Sequence, residues 1–322
     1  MADPVYILQT QVAVPGAPDD FANLDPILDG RTDFFRFLYD TTYGGSYPGG
    51  DPDSWVSVTA PVDGATVYDI SAHGDAHFRR GAGQVITYAG GGFELNGVTG
   101  RGGGYLEIPA SVNADLYAAA PAGSDHVGES QAWAECHYLI WPNAAAWTGI
   151  SGGTTMPIIH STAGKYPGSA GAAERLWVAL GVDGTLYLSL PTAVAGYPST
   201  FTLGNLIGNK HRGLLTQILV YRMRDGTVGV RLKSSAGTGT PATVNVAANA
   251  ADYSALTGKV GVTSAGIWPT SGLDLDASPF RLFRGWIGNL SRQEIDPVAL
   301  ADEDYADVLA VKAADPSLYS AA

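Results

Sequence analysis

The sequence predicts an antiparallel β-sandwich with an N-terminal extension and a short C-terminal helix. Three observations indicate this class: two β-hairpins in the middle of the chain, many turn residues, and a series of short strands separated by turn signals. Glycine (42 residues) and proline (19 residues) are frequent, and charged residues make up only 15% of the 322 residues. Such a composition is typical of a β protein with many turns rather than of a helical one.

The two hairpins are centred on Asp183-Gly184 and Asp225-Gly226, dipeptides that tolerate the positive φ angles of a tight turn. In the first hairpin, residues 175–190, every second position of both arms is aliphatic: Leu176, Val178, Leu180, Leu186, Leu188 and Leu190. This alternation predicts half-buried antiparallel strands. The second hairpin, residues 214–233, repeats the arrangement of two arms around an Asp-Gly turn.

The remaining elements divide the chain into three parts. We interpret residues 1–60 as an N-terminal attachment arm, with a strand over 5–14, an aromatic segment over 33–39 and a glycine-rich linker from Tyr43. Residues 61–296 form the predicted sandwich, in which further strands are expected over 66–70, 92–95, 105–108, 131–141, 156–161, 259–263 and 280–290. Residues 297–322 are predicted to be a helical tail, because Asp296 and Pro297 are favoured at a helix N-terminus.

Charge and cysteine content exclude several functions. The formal net charge is −13 and no basic cluster exceeds two or three residues, so we expect no binding to nucleic acid or to an anionic membrane. Cys136 is the only cysteine, which excludes an intrachain disulfide. We find no signal-peptide pattern and no apolar run of transmembrane length, and we therefore expect synthesis in a host cytoplasm without export.

Several segments resemble the laminin-G-like, concanavalin A-like jelly-roll family. They are Gly91-Gly-Phe-Glu-Leu-Asn-Gly, Gly102-Gly-Gly-Tyr-Leu-Glu-Ile-Pro, Gln131-Ala-Trp-Ala-Glu-Cys-His-Tyr and the closing Phe283-Arg-Gly-Trp-Ile-Gly-Asn-Leu. The resemblance implies a two-sheet sandwich that recognises carbohydrate or protein. Within this family, the chain is similar in particular to bacteriophage tail or virion-surface proteins. This resemblance implies a virion location, contacts with other virion proteins through the arm, and a homo-oligomer.

The glucanases of this fold carry a Glu-x-Asp-x-x-Glu strand, and this sequence has no such segment. We therefore expect no catalytic residues and no enzymatic activity.

The segment 131–141 offers the richest candidate site. Trp133, Glu135, His137 and Trp141 share one side of the predicted strand, and an uncharged Ala/Cys/Tyr/Ile set occupies the other. Because the uncharged side is cheaper to bury, we expect the first side to face solvent. Indoles stack on sugar rings and carboxylates accept sugar hydroxyls, so this face is a candidate glycan site. The alternative is that the indoles pack under a loop and that Glu135 and His137 form a satisfied pair.

The hairpins extend this candidate groove with Trp177, Tyr187 and Arg231, which alternate with the aliphatic positions. Solitary exposed aromatic residues are also ordinary surface features. Asp274 and Asp276 are a weak candidate for binding Ca²⁺, and the alternative is a pair of solvated loop acids. No other cofactor is expected.

Three functional hypotheses follow from the sequence. The first is a non-enzymatic virion-surface or tail protein that binds a host glycan through the sandwich and is anchored by its arm. The second is a purely structural tail or capsid decoration protein. The third is a polysaccharide-degrading enzyme that uses Glu135 with Glu94 or Glu107.

Overall fold

The computed structural model describes residues 25–47, 61–80, 86–98, 102–141, 155–162, 174–181, 186–191, 198–202, 211–239, 242–246, 256–261 and 277–320. Seventeen strands and two α-helices lie within these residues, preceded by a short 3₁₀ helix, Pro26–Leu28. The helices are α1 (Ala110–Tyr117) and α2 (Pro297–Ala314). The strands are β1 (Phe35–Asp40), β2 (Thr66–Val67), β3 (Ala76–Arg80), β4 (Thr87–Ala89), β5 (Gly92–Val98), β6 (Gly102–Ile108), β7 (Trp133–Ile140), β8 (Thr155–Thr162), β9 (Glu174–Gly181), β10 (Leu186–Pro191), β11 (Pro198–Thr202), β12 (Leu215–Arg222), β13 (Thr227–Ser234), β14 (Gly237–Thr238), β15 (Ala242–Asn245), β16 (Gly258–Gly261) and β17 (Ala277–Asn289).

All strand pairs are antiparallel, and they form two sheets. Sheet A has the order β4-β5-β17-β7-β12-β13-β15. In the same sheet, β1 pairs with the second half of β17 beside β5, and the short β14 pairs with the end of β13. Sheet B has the order β2-β3-β6-β16-β8-β9-β10-β11. A short pairing between β5 and β6 joins the two sheets at one edge. The predicted antiparallel β-sandwich is confirmed.

The main hydrophobic core lies between the sheets. Sheet A contributes buried residues such as Trp133, Leu139 and Ile218, and sheet B contributes others such as Phe78 and Val178. The aliphatic alternation of the first hairpin is confirmed here, because Leu176, Val178, Leu186 and Leu188 are all buried in this core.

A second core covers the outer face of sheet A. Helix α2 packs Leu300, Tyr305 and Val308 against the outward residues of β7, β12 and β17. Phe34 and Phe35, at the start of β1, belong to the same cluster, and their rings make edge contacts with Trp286. The central strands β7 and β12 of sheet A are therefore buried on both faces.

The N-terminal part differs from the predicted arm. Strand β1 pairs with β17 over Phe35↔Gly288 to Asp40↔Arg284, and Tyr47 is buried in the main core. Residues 25–47 are thus an integral part of the sandwich, and a domain boundary at residue 60 is wrong for them. The reason is chemical: an aromatic strand of this kind is stabilised by burial, which the sheet provides. The predicted strand over 5–14 lies outside the described residues.

The C-terminal helix is confirmed, with Asp296 as its N-cap: its carboxylate accepts hydrogen bonds from the backbone N–H groups of Val298 and Ala299. Helix α1 was not predicted. No described helix combines the length and the apolarity needed to cross a membrane.

Candidate binding cavity beside the C-terminal helix

The structure places the predicted glycan face of β7 inside the protein. Trp133 and Glu135 are each 1% exposed, and His137 and Trp141 are fully buried. The prediction that these four side chains face solvent is therefore wrong. The opposite side is buried too, as expected, but by α2 and the N-terminal strand. Because both faces of β7 are buried, the expectation that one of them faces solvent does not hold.

Glu135 and His137 do form the satisfied pair that the alternative interpretation named. Glu135 Oε1 lies 3.0 Å from His137 Nε2, and His137 Nδ1 lies 3.0 Å from the hydroxyl of Tyr39. Burial raises the pKa of Tyr39 well above its ordinary value, and the charge of Glu135 adds to this rise. The chain of polar groups is closed to solvent, and its role is to satisfy polar atoms in the core.

Arg231 also departs from the predicted groove. It is 3% exposed, its guanidinium donates to Asp302 of α2 at 3.0 Å, and it also donates to Gln217 Oε1 at 3.1 Å. Gln217 in turn donates to the carbonyl of Ala301 in the same helix. Arg231 therefore fixes α2 to sheet A instead of lining a groove.

The other predicted residues are placed only in part. Trp177 lies in β9, opposite Ser189 and His160, and Tyr187 lies in β10, opposite Ala179 and Thr202. Asp274 and Asp276 lie outside the described residues. Within the described residues, no group of three or more His, Cys, Asp or Glu is arranged to hold a metal ion.

The carboxylates considered for hydrolysis are engaged in other contacts. Glu135 is closed to solvent, as described above. Glu94 pairs with Arg281 at 3.2 Å, and Glu107 pairs with Arg79 at 3.0 Å. A buried Glu135 has no route to a polysaccharide, so this carboxylate is unsuited to the hydrolytic role.

A cavity of about 410 Å³ lies between the second half of α2, the start of the described chain and the C-terminal residues. We call it the carboxylate cavity. Its walls are mainly apolar, and carboxylates and tyrosines stand at one end. It is lined by Asp25, Pro26, Asp40, Thr42, Tyr43, Ile70, Arg284, Asp307, Val308, Ala310, Val311, Leu318 and Tyr319.

Arg284 organises the polar end of the cavity. It is 5% exposed, and three carboxylates surround its guanidinium: Asp25 at 2.7 and 3.2 Å, Asp304 at 2.9 Å and Asp40 at 3.2 Å. Burial alone would lower the pKa of Arg284, but the three carboxylates raise it well above its ordinary value. The three carboxylates thus neutralise the positive charge of Arg284, and because they outnumber it the cluster keeps an excess of negative charge.

Each of these carboxylates is also held by neutral donors. Asp40 accepts hydrogen bonds from the backbone N–H and hydroxyl of Thr42 and from the hydroxyl of Tyr319. Asp304, which is buried behind the cavity, accepts from the indole N–H of Trp286 at 2.9 Å. These fixed donors hold the carboxylates in place, so the polar end of the cavity is pre-organised.

Asp307 and Tyr43 complete the polar end. Burial raises the pKa of Asp307, and the nearby charge of Asp25 raises it further. The same two causes, in the same order, raise the pKa of Tyr43. Among the described residues, no hydrogen bond or ion pair engages the Asp307 carboxylate. Asp307 is therefore the acceptor that remains available to a molecule in the cavity.

Sequence reasoning missed this cavity because its residues come from distant parts of the chain. Asp25, Asp40, Arg284 and Asp307 meet only when β1 pairs with β17 and when α2 packs over both strands. One signal was present: Arg284 lies in the closing strand between Phe283 and Gly285, in an otherwise apolar run. A charge in such a run requires a buried partner.

No protein-family model matches the sequence, and no curated protein matches it. Some solved structures are similar at low identity. One is the binding domain of botulinum neurotoxin DC in complex with SialylT, with 12% identity and a TM-score of 0.44 over 77% of this chain and 50% of that chain. Another is a serotype D/C binding domain, with 14% identity and a TM-score of 0.44 over 77% of this chain and 51% of that one. This chain thus spans about half the length of those proteins, and TM-scores below 0.5 assign it neither a family nor a ligand.

Proposed function

We propose that this chain is a non-enzymatic carbohydrate-binding β-sandwich protein and that a sugar binds in the carboxylate cavity. The observation that carries the proposal is the combination of Asp307, a desolvated carboxylate with no described partner, with the ring of Tyr43 and an apolar wall. Sugars present hydroxyl donors on one edge and C–H groups on their faces. A carboxylate accepts hydrogen bonds from the hydroxyl groups, and a tyrosine ring packs against the C–H groups.

The charge of the cavity restricts the sugar. Asp25, Asp40 and Asp304 already surround Arg284, and Asp307 adds a further negative charge. Among the described residues that line the cavity, Arg284 is the only cation, so an acidic sugar would place its carboxylate among negative groups without a free cation to receive it. Neutral sugars and sugars with a free amine fit the site better.

The test is a screen of neutral, amino and acidic glycans against the full chain, followed by calorimetry on any ligand found. We expect Tyr43→Ala and Asp307→Ala to weaken binding about tenfold each, which corresponds to the loss of one hydrogen bond or ring contact. Asp125→Asn removes one negative charge from an exposed loop away from the cavity and serves as the matched control. Undetectable binding by the full chain, or equal affinity in the cavity variants, would contradict the proposal.

Trp177 and Tyr187 remain a second candidate for the same function. They were predicted as parts of a glycan groove, and their strands β9 and β10 pair directly. The variants Trp177→Ala and Tyr187→Ala belong in the same calorimetric series. A loss of affinity in these variants but not in the Tyr43→Ala variant would move the proposed sugar site to sheet B.

We further propose that the chain serves at the surface of a phage-like particle, contacts other particle proteins through residues 1–60, of which 25–47 also belong to the sandwich, and assembles as a homo-oligomer. The sequence resemblance to tail and virion-surface proteins supports this part of the proposal. Mass spectrometry of purified particles from the source culture tests it, since the chain should copurify in fixed stoichiometry. A particle-bound protein whose Tyr43→Ala variant leaves infectivity unchanged would instead favour the purely structural alternative.

A further inference from the structure

A second cavity, of about 560 Å³, lies between the β12–β13 hairpin and the segment that leads into α2. We call it the hairpin cavity, and it shares no lining residue with the carboxylate cavity. Its wall is mainly apolar, and exposed carboxylates stand at its rim. It is lined by Tyr221, Met223, Arg224, Asp225, Thr227, Leu290, Glu294, Ile295, Asp296, Pro297 and Val298.

Tyr221 is the most buried polar side chain of the hairpin cavity. It is 7% exposed, and its ring lies over Gly229 of β13, where a Cβ atom would collide with Cζ and the hydroxyl oxygen of the tyrosine. Among the described residues, no hydrogen bond engages this hydroxyl. Because buried polar groups are ordinarily hydrogen-bonded, the hydroxyl of Tyr221 points to a molecule that binds in the cavity.

The apolar wall of the cavity comes from both of its sides. Met223 follows β12, whereas Leu290, Ile295 and Val298 belong to the segment between β17 and the first turn of α2. Leu290 is buried and the other three are half-buried. The hydrocarbon part of a ligand would be removed from water against these side chains, which favours binding.

The rim of the cavity has an excess of negative charge. Three carboxylates line it, those of Asp225, Glu294 and Asp296, against one guanidinium, that of Arg224. The Arg224 guanidinium is paired with Glu129, which does not line the cavity, at 2.6 Å, and it lies 3.9 Å from Glu294. Asp225 and Asp296 pair with no cation among the described residues, so they are the charges that remain available to a ligand.

The charge of Asp296 acts on Tyr221. Burial raises the pKa of Tyr221, the charge of Asp296 raises it further, and Arg231 opposes the rise. The phenol therefore stays neutral at pH 7, so its oxygen accepts a hydrogen bond and its ring attracts a cation. Asp296 also accepts hydrogen bonds from the backbone N–H groups of Val298 and Ala299, so these donors are not free to bind an anion.

We propose that the hairpin cavity binds a small organic cation, in which a primary ammonium group is attached to an apolar body. The ammonium group donates to the hydroxyl of Tyr221 and is attracted by Asp225 and Asp296. The apolar body packs against the wall. A ligand with a carboxylate would meet the acids of the rim, because the guanidinium of Arg224 is already paired with Glu129.

The test is a calorimetric titration of the full chain with four small probes. The compound 2-phenylethylamine carries both parts of the proposed ligand. Its three matches are 2-phenylethanol, which lacks the charge, phenylacetate, which reverses it, and methylamine, which lacks the apolar body. We expect 2-phenylethylamine to bind at least about tenfold more tightly than each match, and we expect added salt to weaken it. Equal affinity for 2-phenylethanol or methylamine, or no binding of 2-phenylethylamine, would overturn the proposal.

Two variants locate the ammonium group on the molecule. Tyr221→Phe removes only the hydroxyl and should weaken 2-phenylethylamine about fivefold, the effect of one hydrogen bond, without lowering the unfolding midpoint. Asp296→Asn keeps a side-chain oxygen for the helix N-cap but removes the charge, and should weaken binding about threefold. Asp315→Asn, about 27 Å away at the other end of the 18-residue α2, is the matched control and should bind as the unmodified chain does.

The same titrations decide which cavity holds the amine. Unchanged affinity in both Tyr221→Phe and Asp296→Asn would overturn the proposal. So would a loss of 2-phenylethylamine binding in Asp307→Ala that Tyr221→Phe does not share, because the amine would then bind in the carboxylate cavity.

Discussion

Close packing at single residues of β17 holds sheet A together. Gly285 lies opposite both Tyr39 and His137 in the strand register. A Cβ atom at this position would collide with His137 Nδ1 and would lie 2.8 Å from both the carbonyl of Cys136 and the ring of Tyr39. Only a residue without a side chain lets β1, β17 and β7 approach each other around the buried Glu135–His137–Tyr39 chain.

Gly285→Ala should therefore lower the free energy of unfolding by about 1–3 kcal/mol, because overpacking forces side chains and backbone to shift. Chemical denaturation monitored by tryptophan fluorescence measures the change. Gly239→Ala is the control: a Cβ there meets only the carbonyl of Leu232, at 3.6 Å, and the variant should be near neutral. A Gly285→Ala chain as stable as the control would show that the buried polar chain adapts easily.

The sequence interpretation failed at individual side chains of β7. The alternation of Trp133, Glu135 and His137 was recognised correctly, and the three residues do share one side of β7. Burial could not be deduced from alternation, since polar residues can be buried where they satisfy each other's hydrogen bonds. The partner that completes the satisfaction, Tyr39, lies 98 positions away in sequence from His137.

At the scale of elements, Arg284 connects four parts of the chain. It lies in β17 and pairs with Asp25 before the 3₁₀ helix, with Asp40 at the end of β1, and with Asp304 in α2. Removal of one partner from a buried ionic cluster is costly because the remaining charges lose their compensation. This guanidinium, together with the Arg231–Asp302 pair, holds α2 over the sheet and shapes the polar end of the carboxylate cavity.

Arg284→Leu should destabilise the protein by about 3–5 kcal/mol at pH 7, because three neighbouring carboxylates lose their counter-charge. Arg31→Leu, which breaks an exposed pair with Glu303, should cost only about 0–1 kcal/mol. Burial already raises the pKa of the Asp304 carboxyl, and the loss of Arg284 removes the charge that opposes this rise. A carboxyl group with a raised folded pKa stabilises the folded state as pH falls. The loss of unfolding free energy caused by Arg284→Leu should therefore become smaller between pH 7 and pH 5.

Denaturation of both variants and the unmodified chain at the two pH values measures these effects. If the difference in unfolding free energy between Arg284→Leu and the unmodified chain stays constant with pH, the carboxylates remain solvated in the variant. In that case the cluster would stabilise α2 through packing, since arginine also contributes aliphatic contacts.

The individual elements were largely predictable. The predicted segments overlap β2, β5, β6, β7, β8, β9, β10, β12, β13, β16 and β17, and α2 begins at the predicted Asp296 and Pro297. These elements carry local signals: alternation, Asp-Gly turns and a helix cap. Helix α1 carries no comparable signal, because its N-cap is Pro109 without a side-chain hydrogen bond.

At the scale of the whole molecule, the sandwich was predictable and its boundaries were not. Pairing between β1 and β17 joins positions about 250 residues apart, and no local pattern specifies it. The second core, which α2 and β1 build on the outer face of sheet A, is likewise a product of tertiary packing. A glycine- and proline-rich stretch after Tyr43 suggested a linker, although Tyr47 within it is buried among the rings of Phe78 and Phe93.

The boundary can be tested by truncation. Loss of residues 1–60 removes β1 and with it Phe35, Phe37 and Tyr39, each fully buried and each worth about 2–3 kcal/mol of burial. It also removes Asp25 and Asp40 from Arg284. Since a typical domain is stable by only about 5–15 kcal/mol, we expect a chain of residues 61–322 to lose cooperative unfolding and its near-ultraviolet circular dichroism.

A chain of residues 25–322 retains every described element and is the control, with an expected cooperative transition. Cooperative unfolding of the 61–322 chain with a midpoint equal to that of the control would show instead that residues 25–47 are a separable attachment.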